Sequence, residues 1–146
     1  MFKLVKILSS GPNVPEPIRV RHNSNDEVTR GCIYHLDSDY VSADSYENGP
    51  LVLSLQNIEY DSDIDTLLCY LITSDMIFEA TVKNKPESVT IGQKFCIAKN
   101  NYSQPCLVST TLSDDEANGI IIDNFDYNRT GKVLVKFFEK DGYNQQ

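Results

Sequence analysis

The alternation of apolar and polar residues with a period of two is the feature that most constrains the fold of this chain. In "IFEATV", Phe78, Ala80 and Val82 fall on one face of a predicted strand, while Glu79 falls on the other. "KVLVKFF" alternates in the same way, and "FKLVKIL", "LVLSLQNI", "KFCIAK", "CLVSTTL" and "GIIID" are further short apolar runs. Roughly eight to ten short strands separated by polar turns predict an all-β fold, a small antiparallel β-barrel or sandwich.

Interruptions of this pattern predict the connections between strands. Ser74 and Asp75 break the stretch "LITSDMIFEATV", and because both side chains can close a turn, we expect a turn between two strands there. "LSDDEANG" predicts one short helical turn, with Ser113 as its N-cap and Gly119 as its stop. The sequence shows no βαβ pattern, and we find in it no internal repeat strong enough to support a prediction.

The length of 146 residues and the hydrophobic content of 40% predict one globular domain. Three of the six prolines lie in "SSGPNVPEPI", and proline favours extended backbone at itself and at the preceding residue. We therefore expect residues 1–26 to form an extended N-terminal arm with a proline-rich linker, residues 27–140 the β body, and residues 141–146 a frayed tail. The alternative interpretation is that "FKLVKIL" is the first strand of the protein's own sheet.

The net charge of −8 is unevenly distributed. From Cys32 to Val82 there is no lysine or arginine, whereas that span contains ten aspartate and glutamate residues. Such a field repels phosphate groups, so we expect no nucleic-acid partner. The pattern is typical either of a solvated acidic surface or of a charge-segregated module that docks on another protein.

The acidic run "YDSDIDT" resembles the start of a calcium-binding loop at Asp61, Asp63 and Asp65. An EF-hand loop needs glycine at its sixth position and glutamate at its twelfth. Thr66 and Ile72 stand at those positions, which excludes an EF-hand. A different divalent-cation site on a turn and a solvated acidic turn remain the two interpretations.

Residues for catalysis are sparse. His22 and His35 have no metal-ligand spacing, and no G-x-S-x-G motif is present. Cys32 and His35 would need a turn to meet, because residues three apart lie on opposite faces of a strand. The four cysteines lack CxxC spacing and are expected to be reduced, buried side chains. We therefore expect no enzymatic activity and no cofactor.

No stretch of the sequence predicts a membrane partner. The apolar runs fall short of the roughly 20 residues that span a bilayer. "MFKLVKIL" lacks the apolar core and the cleavage site of a secretory signal, so we expect synthesis in a cytoplasm.

The order of several motifs carries a family resemblance. The opening "LVKIL…GPNVPEP" is followed by the "MIFEA" segment and then by "VTIGQKFCI", "ANGIIIDNF" and "GKVLVKF". This arrangement resembles the small all-β capsid decoration, or head-stabilising, proteins of tailed bacteriophages and prophages. The opening is similar to the family's N-terminal arm, and the later motifs are similar to its paired-hairpin β body. The run from Cys32 to His35 departs from the plainer strand expected after Gly31.

The resemblance implies a non-enzymatic structural protein that binds the outer surface of the assembled capsid, stabilises subunit junctions and is carried on the virion. It implies the major capsid protein as partner and self-association, most simply as a trimer. A head fibre base, tail or connector protein is the alternative, followed by a small β-barrel ligand-binding protein or enzyme. The arm would add a strand to its partner; the expected contact residues are Phe2, Lys3, Leu4, Val5, Lys6, Ile7, Val14, Pro15, Pro17, Arg19 and Arg21.

Overall fold

A computed structural model describes residues 1–8, 15–22, 27–37, 40–42, 49–60 and 63–139. Within these residues the chain forms eleven strands and one short helix, which confirms the expected all-β class. The elements are β1 (Lys3–Ile7), β2 (Ile18–Arg21), β3 (Ile33–Asp37), β4 (Tyr40–Ser42), β5 (Leu51–Ser54), β6 (Thr66–Leu71), β7 (Met76–Val82), β8 (Lys94–Ala98), β9 (Leu107–Thr110), β10 (Gly119–Asp123), α1 (Tyr127–Thr130) and β11 (Lys132–Phe137).

The strands close into two five-stranded barrels, one in each half of the chain. The first barrel joins its strands in the order β2-β4-β3-β5-β6, and β6 pairs back to β2. The second barrel joins them in the order β7-β9-β8-β10-β11, and β11 pairs back to β7. β1 lies outside this second ring and pairs with β7. Among the described residues, β1 is thus the strand that adds an open edge to two closed barrels.

The two barrels have the same topology. With the strands numbered one to five in each barrel, both follow the order 1-3-2-4-5, with a parallel pair between strands 1 and 3. The sequence contains a repeat that agrees with this shared topology. Residues 28–36 ("VTRGCIYHL") and 89–97 ("VTIGQKFCI") share the pattern V-T-x-G-x-x-aromatic-x-aliphatic. Gly31 and Gly92 take equivalent left-handed conformations, with φ of 83° and 90°. The chain therefore consists of two copies of one five-stranded unit. The prediction that the sequence contains no usable repeat is wrong.

The interior of the second barrel is formed by alternate side chains, as the period of two predicted. On β7, Met76, Phe78, Ala80 and Val82 are buried, and Glu79 points outwards. β11 alternates in the same way, and two of its five register pairs with β7 join buried residues, Val133 with Ala80 and Val135 with Phe78. The predicted division of faces, with Phe78, Ala80 and Val82 in the core and Glu79 on the outer side, is confirmed.

Phe137 is the centre of the aromatic packing. Its ring centroid lies 5.4 Å from those of Phe78 and Phe95, in edge-to-face contact with both. The ring of Phe2 lies 5.9 Å away. Edge-to-face ring contacts are favourable beyond the apolar area that they bury. Phe137 therefore joins β7, β8 and the N-terminal segment to β11.

The two barrels share part of one core. Ile33, Leu51 and Leu53 of the first barrel are buried in the same apolar cluster as the interior of the second barrel. The backbone N–H of Ile33 donates to the carbonyl oxygen of Pro105, which precedes β9, at 3.0 Å. The connection from β6 to β7 is the expected turn, in which the Thr73 hydroxyl donates to the Asp75 carboxylate.

β1 is part of the protein's own sheet, which is one of the two interpretations of "FKLVKIL". It pairs antiparallel with β7, and Phe2, Leu4 and Ile7 pack into the core. β2 belongs to the first barrel, so the segment expected to be an arm and linker contains two strands. The division between the two sheets falls between β6 and β7, whereas the predicted boundary between arm and β body lies after residue 26. Residues 9–14 and 23–26 of that segment lie outside the described residues.

The short helix lies elsewhere than predicted. The segment expected to form a helical turn contains only a hydrogen-bonded turn at residues 114–116, and α1 forms at Tyr127–Thr130 and ends at Gly131 (φ 74°). The reason is that Asn118 is hydrogen-bonded to β8, because its backbone N–H donates to the carbonyl oxygen of Phe95 at 2.8 Å. Its side-chain oxygen accepts from the backbone of Ile97 at 2.9 Å. These two bonds extend the chain before a helix can continue.

Candidate docking site

The predicted contact residues of β1 divide between the two faces of the strand. Lys3 stands opposite Glu79, and Lys6 stands opposite Ile77, on the outer surface of the sheet. Val5 lies at the bulge of β1 between these lysines and is exposed. The other apolar side chains of this segment pack into the core. Among its predicted contact residues, Lys3, Val5 and Lys6 therefore remain available to a partner.

The remaining predicted contact residues lie on a different sheet. Arg19 and Arg21 are exposed on β2 of the first barrel, on either side of buried Val20. Pro15 is half-buried and Pro17 is exposed, both ahead of β2. Val14 lies outside the described residues. The structure thus does not gather the predicted set into one surface.

Three loops at one end of the second barrel carry large exposed apolar side chains. β9 and β10 finish at this end and β8 starts there, as shown by the bonds from Thr111 N–H to the Lys94 oxygen (3.0 Å) and from Gly92 N–H to the Ile121 oxygen (2.7 Å). The exposed fractions, large for apolar residues, are 59% for Ile91, 95% for Leu112 and 91% for Phe125. We call these three side chains the apolar end.

The first barrel is attached to the opposite end of the second barrel. The chain enters there at the start of β7, and the bond from Ile33 to Pro105 joins the first barrel to the start of β9. Residues 9–75 carry 3 basic and 12 acidic side chains, a net charge of −9. All other residues carry 10 basic and 9 acidic side chains, a net charge of +1. The apolar end therefore points away from the strongly acidic half of the molecule.

A small cleft lies beside Phe125 on the outer surface of the sheet. Its volume is about 260 Å³, and Glu79, Asp123 and Leu134 form part of its lining. Lys132 pairs with Glu79 at 3.4 Å, and the carboxylate of Asp123 accepts from the backbone of Phe125 at 2.8 Å. Small-molecule pockets usually occupy about 300–1,000 Å³, so this cleft is of a size for a partner's side chain.

Sequence reasoning missed the apolar end, although a local signal exists. Leu112 stands alone in the polar run "TTLSDD", and in "DNFDYN" the only other large side chain beside Phe125 is that of Tyr127. A single large apolar residue in a polar connection has no strand alternation to take it into the core. Such isolated residues were the signal that could have identified these positions.

The acidic run after β5 shows no metal site in the part of the chain that the structure describes. There, no group of three or more histidine, cysteine, aspartate or glutamate side chains could hold an ion. Asp63 and Asp65 are exposed, and Asp61 lies outside the described residues.

The thiols of the first barrel are buried and unreactive. Burial raises the pKa of Cys32 to about 12, and the neighbouring Cys106 adds to the effect. Burial also raises the pKa of Cys69 to about 12 and raises the pKa of Tyr34. A thiol attacks as its thiolate, so neither Cys32 nor Cys69 is an activated nucleophile at neutral pH.

Raising the pH above 9 should destabilise the fold through Cys32 and Cys69. The pKa of each thiol is about 12 in the folded protein against its ordinary value of 9.0, so the folded state holds these protons more tightly. Their contribution to stability is complete below pH 9 and is lost as the pH rises through 12, with a slope of at most about 1.4 kcal/mol per pH unit for each thiol. When urea midpoints are measured between about pH 7 and pH 10.5, the midpoint of Cys69→Ala should fall less steeply with pH than that of the wild type. Identical slopes for the variant and the wild type would contradict this assignment.

Comparisons with known proteins add no family to this picture. Among the described residues, no helix is long and apolar enough to cross a membrane. The chain matches no protein-family model, and no curated protein or solved structure shows a significant similarity to it.

Proposed function

We propose that this protein is a non-enzymatic structural protein that docks on a larger protein shell through its apolar end. The specific role that we propose is that of a capsid decoration protein on the outer surface of a tailed-phage virion, with the major capsid protein as its partner. The observation that carries the proposal is the exposure of Ile91, Leu112 and Phe125 on three loops at one end of the barrel. Large apolar side chains exposed together are typical of surfaces that a partner covers.

The architecture supports this role. The two closed barrels share a core, which makes the molecule a stiff body rather than two tethered domains. Its acidic half lies away from the apolar end, so that half would face solvent when the apolar end is covered. A protein that binds the assembled shell and not its free subunits stabilises the shell by mass action. The motif order "MIFEA", "ANGIIIDNF" and "GKVLVKF" adds the resemblance to decoration proteins.

Leu112→Ser combined with Phe125→Ser should weaken capsid binding at least about tenfold, because exposed aromatic and aliphatic anchors contribute most of the binding energy at such contacts. The urea midpoint should stay close to that of the wild type, since both side chains are exposed in the free protein. Co-sedimentation with purified expanded capsids measures the binding.

Tyr102→Ser is the matched control, because Tyr102 is also exposed but lies in the β8–β9 connection at the other end of the barrel. This variant should bind capsids as the wild type does. Failure of the wild-type protein to sediment with capsids would overturn the decoration role. Capsid binding that survives the double substitution would show that the apolar end is not the contact. Saturation at only a few copies per particle would favour a tail or connector protein.

A further inference from the structure

Two rows of side chains cross the outer surface of the sheet formed by β1, β7, β11 and β10. Within each row the residues stand directly opposite one another in the strand register, and all are exposed or half-buried. We call the two rows together the lysine face, which consists of Lys6, Ile77, Lys136 and Ile120 in one row and Lys3, Glu79, Leu134 and Asp123 in the other.

The lysine face carries positive charge that the described part of the chain leaves unpaired. Lys132 lies beside the face and neutralises Glu79 at 3.4 Å. Within the described residues, Lys3, Lys6 and Lys136 form no ion pair. Half-buried Ile77 lies between Lys6 and Lys136, and Ile120 and Leu134 add further apolar surface. The face therefore combines three lysine charges with apolar side chains and one opposing charge, Asp123, at its β10 edge, which suits an acidic partner with some apolar area.

The first barrel of the same chain carries a surface of that kind. Glu59, Asp63 and Asp65 are exposed ahead of β6, and the ring of Tyr60 is exposed beside them. Arg21, at the adjoining end of β2, stands opposite Thr66, the residue after Asp65. We call Glu59, Tyr60, Asp63 and Asp65 the acidic surface. It belongs to the half of the chain with a net charge of −9.

We propose that copies of this protein associate head to tail, with the lysine face of one copy bound to the acidic surface of the next. Such a contact joins two different surfaces, so a bound pair keeps one free lysine face and one free acidic surface for further neighbours. Symmetric pairing of two β1 edges is disfavoured, because it would bring Lys3 and Lys6 of both copies together. This inference goes beyond the proposed capsid role and does not depend on it.

The dimensions of the lysine face set the expected strength of the association between copies. Four strands about 4.8 Å apart and about six residues long at 3.3 Å each cover roughly 400 Å². Two such surfaces bury about 800 Å² in total, less than the roughly 1,200–2,000 Å² of stable complexes. We therefore expect reversible association with a dissociation constant on the order of 100 μM, which crowding on a surface would favour.

Sedimentation velocity between about 20 and 500 μM protein, at 0.15 M salt, tests the proposal, because screening there confines charge effects to within about 8 Å. The wild type should associate reversibly. Lys6→Glu with Lys136→Glu reverses the lysine face, and Glu59→Lys with Asp63→Lys reverses the acidic surface. Each of these variants alone should weaken association at least about tenfold. An equimolar mixture of the two should recover it, because each variant supplies the surface that the other needs.

Lys85→Glu with Lys99→Glu is the matched control, since both lysines are exposed, neither belongs to the lysine face, and the net charge changes by the same amount as in Lys6→Glu with Lys136→Glu. This control should associate as the wild type does. A wild type that stays monomeric throughout the concentration range would overturn the proposal. Association that both reversals leave unchanged, or a mixture that does not recover, would do the same. Loss of capsid binding by Lys6→Glu with Lys136→Glu in a protein that is monomeric would assign the face to the capsid instead, and the proposed function would stand.

Discussion

Phe137→Ala should lower the free energy of unfolding by about 3–5 kcal/mol, the usual cost of deleting a buried phenylalanine ring. The ring is 2% exposed and contacts the rings of Phe2, Phe78 and Phe95. Removing it leaves a cavity between elements from both ends of the chain, which cannot collapse without moving several strands. Urea denaturation followed by circular dichroism measures the change.

Phe138 provides a control of identical chemistry at the next position. Its side chain is 39% exposed and lies on the other face of the chain, so Phe138→Ala should cost less than about 1 kcal/mol. Phe137→Leu should fall between the two, because leucine refills most of the cavity. Equal losses for Phe137→Ala and Phe138→Ala would mean that the aromatic cluster does not hold the barrel together.

Gly119→Ala should destabilise the protein by about 3 kcal/mol or more, or prevent folding, because the new methyl group has no room. A Cβ atom at this position would clash with the carbonyl oxygen of Lys136 and would lie 2.8 Å from the ring of Phe95. The carbonyl belongs to β11, which pairs with β10 at this point, so relief requires separating two strands of the barrel. The free energy of unfolding from urea titration is again the measurement.

Gly92→Ala separates this steric effect from backbone strain. A Cβ atom at Gly92 would meet nothing within 4 Å, but the residue has φ of +90°. The expected loss is therefore about 1–2 kcal/mol, from the left-handed conformation alone. A loss for Gly119→Ala no larger than that for Gly92→Ala would show that β10 and β11 can separate cheaply. The equivalent glycine of the first barrel, Gly31, has φ of +83°, and a Cβ atom there would lie 3.1 Å from the Cβ atom of Met1.

The sequence predicted strands far better than it predicted their partners. The alternation in "IFEATV" and "KVLVKF" identified both strands, and in "IFEATV" also the buried face, because burial on a pleated sheet is a local property. The strand order is set by contacts between distant residues, which a local pattern does not encode. The duplication was missed for a related reason: two residues separate β3 from β4, but eight separate β8 from β9, so the repeat has no constant period.

The candidate site was predicted only in part. The expectation that β1 is a contact segment stays a prediction, and its lysines do lie on the outer surface of the sheet. It did not show that Phe2, Leu4 and Ile7 are needed for the core, since an amphipathic strand can bury its apolar side against either its own chain or a partner. Leu112 and Phe125 lie in connections, where no periodic pattern distinguishes a buried side chain from an exposed one.

The two barrels have one topology but differ completely in their content of lysine. All nine lysines lie in residues 3–6 or 83–140, and residues 9–75 contain none. A fluorophore or cross-linker that couples to lysine side chains will therefore modify β1 and the second half of the chain, while the first barrel stays unlabelled. Two units with one topology can in this way be followed separately in a single molecule, without introducing a new residue.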